Sequence, residues 1–226
     1  MPRLPARSKA FWVESPKLPK PDFDLYLITD RTQTKGRDLL WVLEQALDAG
    51  VKAIQLREKD LGGRDLFSLA EKLSKLCQSY RSALFINERI DIALAVDAAG
   101  VQLGNGSVPV PIARKLLGAH KMIGSSSHSL EEAMEAQEGG ADFVLFGPVY
   151  LTPSKAAYGA PQGLNRLKEI VEEISRPVYA IGGVKLDDIP DLRRVGVFGI
   201  ALISAIISSD SPKAATNELL RVMASG

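Results

Sequence analysis

Eight short apolar runs rich in β-branched and aromatic residues alternate with segments of helical periodicity from residue 23 onward. Parallel strands must be joined by long crossovers, which are usually helices, so this alternation predicts an α/β fold with a parallel sheet. The predicted strands are Phe23–Thr29, Val51–Arg57, Ala83–Asn87, Gly100–Leu103, Lys121–Ser125, Ala141–Phe146, Pro177–Ile181 and Val197–Ile203.

The segments between these runs space their apolar residues three and four positions apart, which places them on one helix face. The clearest stripe is Leu66, Leu69, Leu73, Leu76 and Tyr80. Cys77, the single cysteine, lies beside this stripe with no histidine near it in sequence, so we interpret it as core packing rather than as a nucleophile. The other helices are predicted near 38–49, 89–98, 110–117, 129–139, 163–175, 186–194 and 212–224.

Several helices run into a glycine just before the next strand, at Gly50, Gly100, Gly140 and Gly196. Glycine accepts the left-handed conformation that commonly ends a helix. Eight strands alternating with eight helices fit a (β/α)8 TIM barrel, which closes every sheet edge. A doubly wound open sheet is the alternative, but no Gly-x-Gly-x-x-Gly follows the first strand.

Residues 1–22 differ from the rest, with five prolines and five basic residues against two acids. Proline fixes φ and removes a donor, so we predict an extended N-terminal arm whose only apolar cluster is Phe11, Trp12 and Val13. The arm is interpreted as a loosely docked tail, with a contact to a partner chain or to the active site as the alternative. Residues 23–226 are predicted to form a single barrel domain.

Charge and composition restrict the partners. Lys plus Arg is 28 and Asp plus Glu is 27, a net charge of +1 that gives no electrostatic case for nucleic acid or an anionic membrane. One cysteine excludes a disulfide within the chain. No run of 18 apolar residues and no secretory h-region is found, so we expect a cytoplasmic protein without a membrane partner.

In such a barrel the active site lies at the carboxyl ends of the strands. Alternation after strand 2 sends Gln55, Arg57 and Lys59 to one side. An amide, a guanidinium and an ammonium at one strand end suit a polyanion such as pyrophosphate. A surface ion-pair cluster with Glu58 and Asp60 is the alternative.

Two more strands end in polar groups. Strand 3 ends in Asn87 and Glu88, whose carboxylate suits a metal ion or the start of the next helix. Strand 5 ends near Ser126 and His128, and a histidine there is either an acid–base group or a hydrogen-bonded structural residue.

A long connection follows strand 6 and is predicted to be a functional lid. Its Thr152, Ser154 and Lys155 supply hydroxyls and a charge suited to phosphate. Gly183 follows strand 7 and Ser204 ends strand 8, and the loops after these strands are the frequent phosphate site of the fold. The sequence therefore predicts two anion pockets, one for pyrophosphate and one for a monophosphate.

An ordered set of segments covering residues 23–224 resembles thiamine phosphate synthase and the related thiazole tautomerase. The segments are Leu25-Tyr26-Leu27-Ile28-Thr29-Asp30, Gln55–Asp60, Asn87-Glu88, Gly-Val-Gln-Leu-Gly at 100–104, Gly147-Pro148-Val149-Tyr150, Thr152-Pro153-Ser154-Lys155 and Ile181-Gly182-Gly183.

The resemblance implies a (β/α)8 barrel that condenses hydroxymethylpyrimidine diphosphate with thiazole phosphate, with Mg2+ required. Pyrophosphate leaves first, and the thiazole nitrogen captures the pyrimidine carbocation. By position, the pyrimidine diphosphate is bound by Gln55, Arg57, Lys59 and Asn87, and the departing pyrophosphate is contacted by Ser126 and Lys155. The thiazole phosphate is held by Thr152, Ser154, Gly183, Ile203 and Ser204. Such barrels commonly pair through helix faces, which leaves a homodimer open.

The chain departs from the synthase pattern at the metal. Glu88 stands where the synthase usually has an aspartate, and Ser107 replaces a second metal-binding aspartate. The tautomerase needs no metal, and its catalytic histidine matches His128, although synthases commonly carry a histidine there too. The retained diphosphate-binding residues of strand 2 favour the synthase, because the tautomerase substrate has no diphosphate. A non-catalytic phosphate-ligand binding protein is the third alternative.

Overall fold

A computed structural model describes residues 20–152 and 160–225. Eight parallel strands close into a barrel in which each strand pairs with its neighbours in sequence and β8 pairs with β1. The predicted (β/α)8 barrel is confirmed, and the open sheet is wrong. The strands are β1 Leu25–Ile28, β2 Ala53–Leu56, β3 Ala83–Asn87, β4 Gly100–Leu103, β5 Met122–Ser127, β6 Phe143–Phe146, β7 Val178–Ile181 and β8 Gly199–Leu202.

Helices follow the strands and cover the outside of the barrel. Every predicted helix is found, with its ends shifted by a few residues at most. In the described ranges they are α1 Leu39–Asp48, α2 Gly63–Ser79, α3 Ile90–Ala95, α4 Val110–Leu117, α5 Leu130–Glu138, α6 Gly163–Glu173, α7 Ile189–Val195, α8 Ser204–Ile207 and α9 Pro212–Ala224. Short 3-10 helices at Arg31–Gln33 and Leu186–Asp188 precede α1 and α7. Across these ranges, none of the helices is long and apolar enough to cross a membrane.

Helix α2 buries the apolar face that the three- and four-residue spacing of its leucines predicts. Leu66, Ala70, Leu73 and Cys77 are buried against the barrel. Burial raises the pKa of the Cys77 thiol to about 12. A thiol that stays protonated near neutral pH is a poor nucleophile, which fits its interpretation as core packing.

One of the predicted helix-ending glycines has a different role. Gly50, Gly140 and Gly196 do adopt positive φ, but Gly100 opens β4 instead. A Cβ at Gly100 would lie 2.0 Å from the Met122 carbonyl oxygen, so this position needs glycine for space rather than for its φ.

Five aromatic rings fill the amino-terminal end of the barrel. The Phe23 ring centroid lies 5.4–5.8 Å from the rings of Tyr26, Phe85, Phe143 and Tyr179. The Tyr179 hydroxyl donates a hydrogen bond to the Phe23 carbonyl at 2.6 Å. This packed floor closes the barrel from below, so the interior is open to ligands only at the carboxyl ends of the strands.

Residues 1–19 lie outside the described residues, so the predicted boundary of the N-terminal arm stays a prediction.

Candidate active site

Above the aromatic floor, the interior of the barrel is polar on one side and apolar on the other. The inward positions of β2 to β5 carry Gln55, Asn87, Gln102 and Ser126. Strands β6 to β8 and β1 present apolar side chains that pack with the floor: Ile28, Leu145, Ile181, Ala201 and Ile203. A ligand in the mouth therefore has hydrogen-bonding groups along one wall and hydrocarbon along the other.

Arg31, which follows β1, pairs with both acids of the predicted diphosphate segment. Its backbone N–H lies 3.1 and 3.2 Å from the two carboxylate oxygens of Glu58, and its Nη1 lies 3.3 Å from one of them. The same guanidinium clasps Asp60 through two hydrogen bonds of 2.5 and 2.6 Å. This contact holds the pKa of the Asp60 carboxyl below its ordinary value.

Arg57 and Lys59 are consequently not engaged by these acids. The Arg57 backbone N–H donates to the buried Thr29 hydroxyl at 2.9 Å, which fixes the end of β2 to β1. Within the described ranges the Arg57 guanidinium makes no hydrogen bond or ion pair. The exposed Lys59 ammonium lies 3.9 Å from Glu88, a loose pair that water and salt screen easily.

Glu88 and Ser107, which follow β3 and β4, both lie near Gly104. Glu88 adopts a φ of 61° and its N–H donates to the Gln102 carbonyl at 2.9 Å. A Cβ at Gly104 would lie 3.1 Å from the Glu88 carboxylate, and the Gly104 N–H donates to the Ser107 hydroxyl at 2.8 Å. One carboxylate and one neutral oxygen therefore both lie near Gly104. In the described part of the chain no three His, Cys, Asp or Glu residues form a cluster that could hold a metal ion by themselves.

His128 follows β5 on the catalytic rim and is held by two hydrogen bonds. Its Nδ1 pairs with the Gly147 carbonyl, which accepts, so Nδ1 carries a proton, and Nε2 makes no hydrogen bond with the residues that the structure describes. Its backbone N–H donates to Glu132 at 2.6 Å. The other oxygen of Glu132 accepts from Asn105 at 2.9 Å, so this carboxylate links the loops after β4 and β5.

The connection between β6 and α6 is fixed at both of its ends. Its start pairs with the end of β7, since Val149 N–H donates to Ile181 and Tyr150 N–H donates to Gly182, both at 2.9 Å. Its return is held by the Gln162 N–H, which donates to the Pro148 carbonyl at 2.8 Å. Both anchors fix the described ends of this connection beside the end of β7, and the predicted lid between them lies outside the described residues. Thr152 is half-buried beside them, whereas Ser154 and Lys155 lie outside the described residues.

The predicted monophosphate residues lie at the ends of neighbouring strands. Gly183 has a φ of +70°, and a Cβ there would come within 2.5 Å of the Leu151 carbonyl oxygen. Ile203 follows β8 and leads into the four-residue helix α8, whose first residue, Ser204, is exposed. Helix α8 was not predicted from the sequence, because four residues are too few to show helical periodicity.

Gln102 is the polar interior residue that the sequence reading did not single out. It is 2% exposed and sits between Val101 and Leu103 in an otherwise apolar strand. A polar residue in an otherwise apolar barrel strand is a candidate for the barrel interior, and the sequence shows Gln102 in this setting.

The chain matches the family model described as thiamine monophosphate synthase over residues 25–206. A protein of Geobacter sulfurreducens is 50% identical over 204 residues, which cover 90% of this chain and 96% of that protein. The thiamine-phosphate synthase of Clostridium novyi is 41% identical over 201 residues, 89% of this chain and 98% of its own. The solved structure of thiamine phosphate pyrophosphorylase from Pyrococcus furiosus superposes with a TM-score of 0.81 at 37% identity, covering 89% of this chain and 95% of that one. The barrel, the polar wall of its mouth and these matches agree, and the chain belongs to the thiamine monophosphate synthase family.

Proposed function

We propose that this protein is a thiamine phosphate synthase that joins hydroxymethylpyrimidine diphosphate to thiazole phosphate. The observation that carries the proposal is the pairing of Arg31 with Glu58 and Asp60. Because Glu58 and Asp60 are both bonded to Arg31, they do not bind Arg57 or Lys59, whose positive charges are available for a diphosphate.

In the proposed reaction the bond between the pyrimidine methylene carbon and the diphosphate oxygen breaks first. The bonding electrons leave with pyrophosphate, and the lone pair of the thiazole nitrogen forms the new carbon–nitrogen bond. The products are thiamine phosphate and pyrophosphate. Negative charge grows on the leaving group, so cations and N–H donors already in place stabilise the transition state.

The polar wall supplies those groups. Arg57 clamps the diphosphate through two parallel N–H bonds, and Lys59 adds a point charge. Gln55, Asn87 and Ser126 contribute neutral hydrogen-bonding groups along the same wall. Lys155 is proposed as a further contact to the departing pyrophosphate.

The other half of the mouth is proposed to receive the thiazole phosphate. Its phosphate is assigned to Thr152, Ser154, Gly183, Ile203 and Ser204, by the resemblance and by the position of the described members at the ends of β6 to β8. The apolar side chains below these strand ends favour capture of the carbocation by the thiazole nitrogen, because they leave little room for a competing water.

We propose Mg2+ as the cofactor, with Glu88 as its protein carboxylate. Mg2+ commonly takes one or two carboxylates and completes its shell with water and substrate phosphates, so a single carboxylate near the diphosphate wall fits. Ser107 contributes a neutral oxygen that already accepts from Gly104. The ion would neutralise charge on the leaving pyrophosphate.

This metal assignment has its own test. Ser107→Asp should tighten Mg2+ binding and lower the Mg2+ concentration that gives half-maximal rate, while Ser107→Asn, which adds no charge, serves as the matched control. Equal Mg2+ affinity in the wild type and both variants, measured by calorimetry, would remove Ser107 and Glu88 from the metal site.

The deciding experiment incubates the protein with both substrates, with and without Mg2+, and measures thiamine phosphate and pyrophosphate in equal amounts. No pyrophosphate under any condition would overturn the synthase. If calorimetry then showed phosphate-ligand binding without turnover, a binding protein would be the better account.

The metal-independent thiazole tautomerase is the second candidate, and the geometry of His128 favours it. With Nδ1 held by the Gly147 carbonyl, Nε2 is free to move a proton. In a tautomerase His128→Asn should cost about 10²–10⁴-fold, the usual scale of acid–base catalysis. In a synthase the same change should cost far less, because bond cleavage there needs no proton transfer.

The family acts on small phosphorylated substrates. A cytoplasmic location and a homodimer are further proposals, and analytical ultracentrifugation of the full chain tests the second.

A further inference from the structure

Gln102 occupies the inside of the barrel directly below the proposed diphosphate wall. It pairs with Asn87 on one side and with Gly124 on the other, and its side chain is buried. Its amide Nε2 lies 3.0 Å from the hydroxyl of Ser126, two residues further along β5 than Gly124. The amide therefore supports a residue that is proposed to contact pyrophosphate.

The barrel makes specific room for this amide. A Cβ at Gly124 would lie 2.2 Å from Gln102 Oε1 and 2.5 Å from the Phe143 ring. Any larger residue at position 124 would displace the amide or the ring, so glycine holds open the space that Gln102 fills.

The hydrogen bond restricts the direction of the Ser126 proton. A hydroxyl has one proton and two lone pairs, and here a lone pair accepts from Gln102. Among the described residues the proton of Ser126 has no acceptor. It is left to point at a ligand, and an anionic oxygen is the strongest acceptor that a ligand could present.

Stability alone does not explain a glutamine at this position. Gln102 Oε1 is buried without a hydrogen-bond partner in the described structure. A buried polar atom without a partner is destabilising, and an apolar side chain of similar volume would avoid that cost.

We propose that Gln102 is a positioning residue that holds the Ser126 hydroxyl as a donor to the leaving pyrophosphate. This inference rests on the proposed synthase function. Gln102 acts through Ser126 and does not itself contact the substrate.

The test is a double-mutant cycle with steady-state pyrophosphate release as the assay. Gln102→Met and Ser126→Ala should each lower kcat/KM about tenfold, the scale of one hydrogen bond, with most of the loss in kcat because charge grows on the leaving group. The double variant should also lose only about tenfold, since the amide has nothing to orient once the hydroxyl is gone. Losses that multiply to about a hundredfold would overturn the proposal.

Two further variants separate positioning from packing. Gln102→Glu keeps the shape but accepts rather than donates, so it should lose more activity than Gln102→Met; full activity would overturn the donor role. Gln78→Met is the matched control, because Gln78 makes a similar bond of 3.3 Å to Ser74 on the outer helix α2 and should leave kinetics unchanged.

Thermal unfolding completes the test. Gln102→Met should unfold at the same or a higher temperature than wild type, and a clearly lower Tm would mean a structural role and overturn the proposal. If wild type releases no pyrophosphate, the proposed function and this inference both fail. If wild type is active and the cycle is additive, only the inference fails.

Discussion

Gly183→Ala should destabilise the protein in two ways, through the backbone conformation at this position and through a steric clash. The residue has a φ of +70°, and its added methyl would meet the Leu151 carbonyl oxygen at 2.5 Å and the Tyr150 carbonyl group at 2.8 Å. Positive φ costs a residue with a Cβ about 1–2 kcal/mol. Overpacking against backbone, which cannot rotate away, adds about 1–3 kcal/mol. We expect a loss of about 2–5 kcal/mol in the free energy of unfolding, or a Tm lower by about 5–15 °C for a chain of this size.

The same clash should impair function. The methyl pushes the start of the β6–α6 connection away from β7, where Tyr150 N–H is bonded to Gly182. We expect KM for thiazole phosphate to rise about tenfold, the scale of one misplaced N–H contact to an anion, while KM for the pyrimidine diphosphate changes little.

Gly36→Ala provides the matched control. Gly36 has a φ of +78°, but nothing lies within 4 Å of its added methyl. It should therefore lose only the backbone cost, with unchanged KM values. If Gly183→Ala were no less stable than Gly36→Ala in thermal unfolding, or if it raised both KM values equally, the argument from the Leu151 contact would be refuted.

Three other substitutions and one chemical probe test the remaining structure. Arg57→Lys should lower kcat/KM for the diphosphate substrate, because an ammonium cannot make the bidentate contact. Wild-type kinetics in this variant would contradict the assignment of Arg57 to the diphosphate. Arg31→Ala should raise KM for the same substrate, since Glu58 and Asp60 would then compete with the diphosphate for the cations that bind it. An unchanged KM would contradict this. Asp142→Ala should lower stability by about 3–5 kcal/mol in urea unfolding, because it removes the buried carboxylate that pairs with Arg114 at 2.5 Å and accepts from the buried Ile123 N–H; a loss below about 1 kcal/mol would refute it. Cys77 should react with a thiol reagent only on unfolding, and rapid labelling of the native protein would disprove its burial.

The barrel could be predicted from sequence because its determinants are local. The eight β-rich runs and the periodic segments between them each report on their own secondary structure, and only one closed arrangement accommodates eight such units. Alternation along β2 also predicted that Gln55, Arg57 and Lys59 share one side. Gln55 does face the barrel interior, because the parity of a strand is independent of the rest of the fold, and the shared side of Arg57 and Lys59 stays a prediction.

The pairing of charges could not be predicted in the same way. Glu58 and Asp60 adjoin Arg57 and Lys59 in sequence, yet they bind Arg31, which is 27 and 29 residues away. That choice depends on the β1–β2 pairing and on the turn after β1, which only the folded barrel sets. Local sequence therefore suggested an ion-pair cluster within the segment as an alternative.

Supporting residues were also hard to identify. Ser129 and Glu132 have the sequence spacing of a capping box, and the Ser129 hydroxyl accepts from the Glu132 N–H at 3.2 Å. The Glu132 carboxylate, however, reaches the neighbouring N–H of His128 and the side chain of Asn105. A helix cap can be read from spacing, whereas a link between two loops from different strands cannot.

The two walls of the barrel mouth suit opposite charges in the proposed reaction. The leaving pyrophosphate gains negative charge, and the groups that can hold it come from strands β2 to β5. The pyrimidine fragment becomes positive, and the described inward side chains of β6 to β8 and β1 include the apolar Ile28, Leu145, Ile181 and Ala201, which neither trap a cation nor activate water. Because neighbouring strands in sequence are neighbours in the barrel, this division requires only that polar inward residues be confined to consecutive strands. Moving one polar residue across it, as in Leu145→Gln, would place a competing polar group beside the carbocation, next to Ser126 on the paired strand β5.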